Sequence, residues 1–370
     1  MFISIGANVK NRSLLRPNGY FALRLHFSDL FCNIVLCKTM HTRAKAILII
    51  TSLILSATLV SGQDLAFSQF YANPVYLNPA LAGNRICPRV TLSYRNQYPA
   101  LGGHYVSYVA GADMHVDAIS GGVAVLATAD MTGPLASFTG SAVYSYRLKI
   151  SEKFTMNAAM QAGFFQYRLN WEKLVFEDMI VPGTGEVIPG NSSETPPDRL
   201  NIGDVDFSTG MILGYNERLY LGAAFHHITM PDLSFYSGNT SRLDMRITVH
   251  AGALFDLERG LEGSENEKLS FSPNLVYMQQ GDNHQLNGGM YVNLYPFVTG
   301  LWLRHNFENP DALIVLLGFQ QPQFKIGYSF DYTLSQMGIA AGGAHEVSFV
   351  WFLPCLKKEF KYKAIKCPSF

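Results

Sequence analysis

The chain has 370 residues, and its 28 Lys+Arg balance 28 Asp+Glu to a formal net charge of zero, which argues against a nucleic-acid partner because such proteins present strongly basic surfaces. Only 15% of the residues are charged, 48% are hydrophobic, and there are 32 Gly, 25 Phe and 19 Tyr. An average soluble domain carries about 25% charged residues, so the composition points to a β-rich chain with an apolar outer surface.

In chain order, residues 1–39 read neither as a domain nor as the basic start of a leader and are expected to be a non-native extension preceding a true start at Met40. Residues 40–62 have the three parts of a secretory signal peptide: basic "HTRAK", apolar "AILIITSLILSATLV", then "SGQD". Val60 and Gly62 would stand three residues and one residue before a cut at Gln63. The apolar run is short for a membrane span of about 20 residues, and no Cys follows it, so lipoprotein processing is not expected. Cys32 and Cys37 precede the signal, leaving Cys87, Cys355 and Cys367 in the mature part. Three cysteines allow at most one internal bridge. Cys355 and Cys367 share one short tail and are a possible pair in an oxidising periplasm.

Residues 63–85 contain "FSQFYANPVYLNPALAG", with two Asn-Pro pairs. Each proline removes a backbone donor and each Asn tolerates turn geometry. The stretch suits neither a central strand nor a helix. The expectation is a plug-like segment, kept out of a sheet and folded into the mouth of whatever the later strands build.

From residue 86 the pattern is period two. In "DMRITVHAGALFDL", Met245, Ile247, Val249, Ala251, Ala253 and Phe255 share one face, and Asp244, Arg246, Thr248, His250 and Gly252 the other. "PQFKIGYSFDYT" and "ASFTGSAVYSYRL" behave alike. A soluble sandwich also alternates. Strands of about 10 residues, with aromatics such as Tyr94, Tyr98, Tyr105, Tyr108, Tyr291, Tyr295 and Phe297 near their ends, favour a transmembrane outer-membrane β-barrel. About fourteen antiparallel strands are expected within 86–353: 86–98, 105–116, 119–130, 135–149, 153–169, 204–216, 218–229, 244–257, 267–279, 284–295, 297–307, 311–320, 323–333 and 344–353. With the N-terminus periplasmic, most inner connections are short, while 170–203 and 230–243 are long and fall outside, the asymmetry of such barrels. Charged residues on the polar faces, such as Arg246, Lys325 and Asp331, would face the lumen. Residues 354–370 form a basic periplasmic tail with Lys357, Lys358, Lys361, Lys363 and Lys366.

No chemistry-bearing motif emerges. His226 and His227 are adjacent and would point to opposite faces of a strand, and no nucleophile turn, phosphate loop or CxxC pair is present. No catalytic residue, metal or cofactor is assigned, and the chain is read as a non-enzyme.

The opening "FSQFYANPVYLNPALAG", including Phe67, Gln69, Asn73, Pro74, Asn78, Pro79, Ala80 and Gly83, resembles the N-terminal signature of the PorP/SprF family of type IX secretion outer-membrane proteins of Bacteroidetes. "YRNQY" resembles that family's first strand. Gly327, Tyr328, Asp331 and Tyr332 in "GYSFDYT", followed by His345-Glu346, resemble its C-terminal strands, and the basic, cysteine-bearing tail looks similar too. The resemblance covers about 63–370. It implies a part in protein secretion or in gliding motility, through export or surface anchoring of adhesins. The implied partners are outer-membrane lipid, periplasmic ring and lipoprotein components, and a secreted or surface cargo protein. "NPALAG" is also similar to a segment of FadL-like barrels, which implies a FadL-like rather than porin-like fold with an N-terminal hatch. A FadL-like channel for a hydrophobic small molecule and a purely structural surface anchor are the alternative functions.

Overall fold

The computed structural model describes residues 64–355, apart from 86, 102–104, 191, 217, 258–268, 308 and 335–340. The extension 1–39, the signal segment 40–62, the five tail lysines (Lys357, Lys358, Lys361, Lys363, Lys366) and Cys367 lie outside the described residues. One antiparallel sheet contains β1 (Arg89–Gln97), β2 (Tyr105–Val116), β3 (Gly121–Thr132), β4 (Leu135–Lys149), β5 (Phe154–Leu169), β6 (Asn201–Tyr215), β7 (Leu219–His226) and β8 (Arg246–Ala253). It continues with β9 (Phe255–Leu257), β10 (Leu269–Gln280), β11 (Asn283–Leu294), β12 (Phe297–His305), β13 (Pro310–Gln320), β14 (Phe324–Thr333) and β15 (Ala344–Phe352).

β8 and β9 pair with the same strand in one register across Leu254, Gly252 opposite Asn274 and Phe255 opposite Phe271, and are two pieces of one wall strand. The wall therefore has fourteen strands, and the pairing of β1 with β15, from Arg89↔Phe352 to Gln97↔Ala344, closes it. Closure leaves no unpaired edge, the condition for a sheet to cross a bilayer.

Alternation sets the two faces. Along β14, Lys325, Ser329, Asp331 and Thr333 are buried while Ile326, Tyr328 and Tyr332 are exposed; along β15, Glu346, Ser348 and Val350 are buried while Val347 and Trp351 are exposed. The outward face carries large apolar groups all round, including Leu92, Val125, Met160, Phe164, Leu221, Leu301 and Leu317. A water-soluble monomer does not expose so continuous an apolar surface; a barrel in lipid does. This face decides between sandwich and barrel where alternation alone could not. Aromatic pairs such as Phe154–Tyr215 and Phe297–Phe319, with ring centroids 4.7 and 5.8 Å apart, sit at one rim. Tyr291, expected at the rim, instead faces inward and is buried.

That rim is the turn end, where connections 117–120, 150–153, 216–218, 295–296 and 321–323 are short. The opposite, loop end carries 170–200 and 227–245 together with the tight turns 133–134 and 281–282.

The cysteine pairing differs from the expected Cys355–Cys367 link: Cys355 is bonded to Cys87, their Cα atoms 4.6 Å apart. Register explains it. The seam ends at Arg89↔Phe352 on the turn end, so the residues before β1 and after β15 leave the sheet side by side. The bridge spans 268 residues of sequence, which restricts the unfolded chain by roughly 5.6 kcal/mol on a loop-entropy argument. A protease cut within 170–200 should give two fragments that stay linked in denaturant until reduced. Cys87→Ser should abolish the link and Cys367→Ser should preserve it; the reverse result would contradict this pairing.

Candidate functional site: the lumen plug and its latch

Residues 64–85 fill the lumen instead of joining the wall. Phe67 through Val75 and Leu77 through Asn84 are all buried. The two prolines shape the path. Pro74 opens the single helical turn α1 (Pro74–Leu77) and Pro79 opens a 3-10 turn (Pro79–Leu81), each at the first helical position, where a missing N–H is no loss. Asn78 caps the second turn: its Oδ1 accepts from Ala80 N–H at 2.9 Å. Its Nδ2 donates to the carbonyls of Met211 on β6 and Ala223 on β7 at 3.1 and 3.2 Å and lies 3.0 Å from His250 Nε2. Asn73 donates to Ser93 on β1. Each Asn-Pro pair thus both stops the strand and fastens the segment to the wall. Gly210 and Gly222 make room for this contact, since a Cβ on the first would overlap Asn78 and on the second His250.

The segment runs lengthwise. Asp64 N–H donates to Gln280 at 2.8 Å and the Asp64 carboxylate lies 3.1 Å from Arg246, both at the loop end. Gly83 N–H donates to Asp113 at 2.8 Å, and Arg147 donates to the Gly83 carbonyl at 3.3 Å, both at the turn end. The sequence placed this segment at one mouth; its contacts take it from one end of the barrel to the other.

Nor is the lumen uniformly polar, as the alternating faces suggested. Ile212, Tyr220, Val276, Tyr291, Trp302, Ile314 and Leu316 form an apolar inner surface that packs against Phe70, Tyr71, Leu77 and Leu81 of the plug. Tyr71 meets the rings of Tyr220 and Tyr291 edge-on at 6.1 and 6.3 Å. The Tyr220 hydroxyl lies 2.6 Å from both the Tyr71 hydroxyl and Asn274 Oδ1. Between the plug and Arg246, Thr248 and Met278 lies a cavity of about 20 Å³, room for roughly one water.

Toward the loop end lies a charged set of contacts that holds the start of the plug. Glu346 accepts from the backbone N–H groups of both Ser68 and Gln69, at 2.7 and 3.1 Å. The Ser68 hydroxyl donates to Asp331 at 2.6 Å and accepts from Arg95 and Arg304 at 2.7 and 2.6 Å. Arg95 also pairs with Asp331 at 2.9 Å and Glu346 at 3.2 Å, and Arg304 with Asp331 at 3.1 Å. Two cations and two carboxylates, from β1, β12, β14 and β15, therefore balance around one serine. Ser68 and Glu346 are 0% exposed. Gln69 extends the set, donating to the Glu346 carbonyl at 3.0 Å and accepting from Ser348.

The residues singled out in the sequence separate here. Gln69, Asp331 and Glu346 meet in the latch; Asn73, Pro74, Asn78, Pro79, Ala80 and Gly83 follow the plug path, with Ala80 accepting from Asn157 at 3.1 Å. Phe67 packs edge-on against Tyr76 at 5.4 Å. Gly327 faces inward, but Tyr328 and Tyr332 face outward, and Tyr328 hydroxyl lies 2.8 Å from His345 Nδ1 on the wall exterior. Ser68, Arg95 and Arg304 were missed. Arg95 lies within "YRNQY", and a cation at an inward position was the available signal. His226 ends β7 and is buried; His227, past the strand end with φ 58°, reaches Asp64 at 2.8 Å, so the pair does not splay across a strand. Among the described residues no group of three metal-binding side chains forms.

Removing one member of a buried ionic set strands its partners, at a cost of about 3–5 kcal/mol. Glu346→Ala should therefore release the plug, and Gly210→Val or Gly222→Val should do so by overlap. Thermolysin should cut within 64–85 in these folded variants and spare the wild type. Equal resistance in all four proteins would contradict the latch.

A search of curated protein sequences returns no match. Solved structures with a similar trace are outer-membrane barrels of both FadL and porin types. They include the CymD monoaromatic hydrocarbon channel (12% identity, covering 79% of this chain and 95% of that one, TM-score 0.42). Omp33 of Acinetobacter baumannii (8%, 73% and 100%, 0.39) and a Pseudomonas aeruginosa FadL homologue (13%, 74% and 92%, 0.36) are further examples. The sequence profile of the type IX secretion system membrane protein PorP/SprF matches residues 59–351, a span that takes in the plug and nearly all of the wall, and the chain belongs to that family.

Proposed function

We propose that this protein is a closed outer-membrane docking platform of type IX secretion, supporting export or surface anchoring of cargo proteins such as gliding adhesins, and acting by contact rather than by catalysis or conduction. The observation that carries this reading is the lumen. The chain's own N-terminal segment occupies it from Asp64 at the loop end to Gly83 at the turn end, so a cargo has no path through the barrel as it stands. The apolar inner surface that a FadL-like hydrocarbon channel would need is covered by Phe70 and Tyr71.

Removal of the signal segment near Gly62 would deliver the chain to the outer membrane. The loop end would face outside, as long loops do in such barrels, and would meet cargo. The turn end would face the periplasm. There Cys355 is tethered to Cys87, so the lysine-rich tail starts at a fixed point on the rim and would meet the ring and lipoprotein components.

Deleting the gene in its native bacterium should leave cargo either inside the cells, which assigns export, or shed into the medium, which assigns anchoring. Normal surface display of every cargo would contradict the proposal. Truncation after Cys355 should leave the barrel assembled in the outer membrane and reduce secretion; unimpaired secretion would remove the tail from the mechanism.

A further inference from the structure

The loop end holds a large open cleft. It lies between 170–200 and 227–245 and has a volume of about 870 Å³, within the range of roughly 300–1,000 Å³ typical of ligand sites. One wall bears Trp171 and Phe176, their rings 4.9 Å apart, and the other bears Leu233, Phe235 and Tyr236. Tyr236 is 53% exposed.

The cleft is built. The Ser237 N–H donates to Asp198 at 2.6 Å and the Arg199 N–H to the Phe235 carbonyl at 3.2 Å, tying one loop to the other. Asp232 accepts from the Ser234 and Ser241 N–H groups at 3.1 and 2.7 Å and holds its own loop bent. Asp178 accepts from the Ser193 N–H at 2.6 Å and from the Ser192 hydroxyl at 2.9 Å. These hydrogen bonds hold the Asp178 and Asp198 carboxyls below the usual carboxylate range, with the backbone donors of Ser193 and Ser237 the main causes. Both groups are therefore charged at neutral pH.

Among the described residues, Glu194 is the acidic side chain in the cleft's lining, which holds no basic one. The chain is neutral overall, yet the two loops hold eight carboxylates (Glu172, Glu177, Asp178, Glu186, Glu194, Asp198, Asp232, Asp244) against three Lys/Arg side chains (Lys173, Arg199, Arg242) and His227, which is turned onto Asp64. On the 170–200 loop, outside the lipid-facing wall, Val175, Ile180, Val187 and Ile188 are exposed at 41–56%. Aromatic faces attract cations, most of all Trp, and more so where carboxylates stand nearby. Apolar side chains around an aromatic centre are the makings of a protein-binding hot spot.

We propose that this cleft binds a basic polypeptide segment of a partner protein, with an Arg or Lys side chain entering between Trp171 on one wall and Tyr236 on the other, Glu194 pairing with its charge, and neighbouring apolar residues on the exposed valines and isoleucines of the 170–200 loop. This names the chemistry by which the loop end recognises a partner and rests on the proposed function only for that partner being a cargo.

The test uses the full mature protein in nanodiscs of zwitterionic lipid, with fluorescently labelled peptides of alternating Arg and Leu, Ser and Leu, or Glu and Leu, read by anisotropy. The Arg peptide should bind tightest, and raised salt should weaken it. Trp171→Ala, Tyr236→Ala and Glu194→Gln should each cost roughly three- to tenfold in Kd while the barrel keeps its resistance to unfolding in SDS. Equal affinity for the Arg and Glu peptides overturns the proposal, as does binding that is unchanged in all three variants. Binding of a neutral oligosaccharide in the cleft in place of the Arg peptide also overturns it. The two readings fail separately. Arg-peptide binding to a protein whose gene deletion leaves cargo untouched removes the secretion role and keeps the cleft. Cargo loss on deletion without Arg-peptide binding removes the cleft and keeps the role.

Discussion

A single carboxylate organises the interior. Glu346 takes the backbone N–H groups of Ser68 and Gln69, two donors that a chain entering a barrel could not leave unpaired without a penalty of about 1–3 kcal/mol each. Its charge is tolerable only because Arg95 stands beside it on the adjoining strand, opposite in the seam register. Arg95 brings in Asp331, Asp331 brings in Arg304, and Ser68 joins all three. Such a set is useful less for net stability than for fixing one arrangement. Here it fixes where the plug begins its descent.

The rest of the plug follows from that anchor. With Ser68 held, Tyr71 falls among Tyr220, Tyr291 and Trp302, and the Asn-Pro turns carry the chain past Gly210 and Gly222. The chain then exits at Gly83 and enters β1 at Arg89, which pairs with Asp113, the same residue that receives the Gly83 N–H. The latch residues sit on β1, β12, β14 and β15, three of which surround the closing seam. Plug seating and barrel closure are thus linked through shared residues, and the Cys87–Cys355 bridge secures the same seam at its other end.

Much of the wall was legible in the sequence because period-two alternation is a local property. Asp244 to Phe255 and Gln323 to Thr333 declare their faces residue by residue, and the fourteen strands follow from that. The resemblance to a known family carried the plug motif and the "HE" pair. What local pattern could not supply was depth and partnership. Nothing in "FSQF" says that Ser68 will find Arg304, 236 residues away. Alternation also says which way a side chain points but not what it meets. Trp302, Ile314 and Leu316 read as ordinary strand residues and proved to be the surface on which the plug packs. The cysteine pairing failed for the same reason: proximity in the tail favoured Cys367, while closure of the sheet brought Cys87 alongside.

The central claim is that the barrel is closed by its own N-terminal segment. Planar-bilayer recording tests it most directly. The wild-type protein should show no steady conductance, and a variant lacking residues 64–82 but retaining Cys87 and β1 should open a stable pore. A steady open conductance from the wild type, equal to that of the deletion variant, would contradict a sealed lumen.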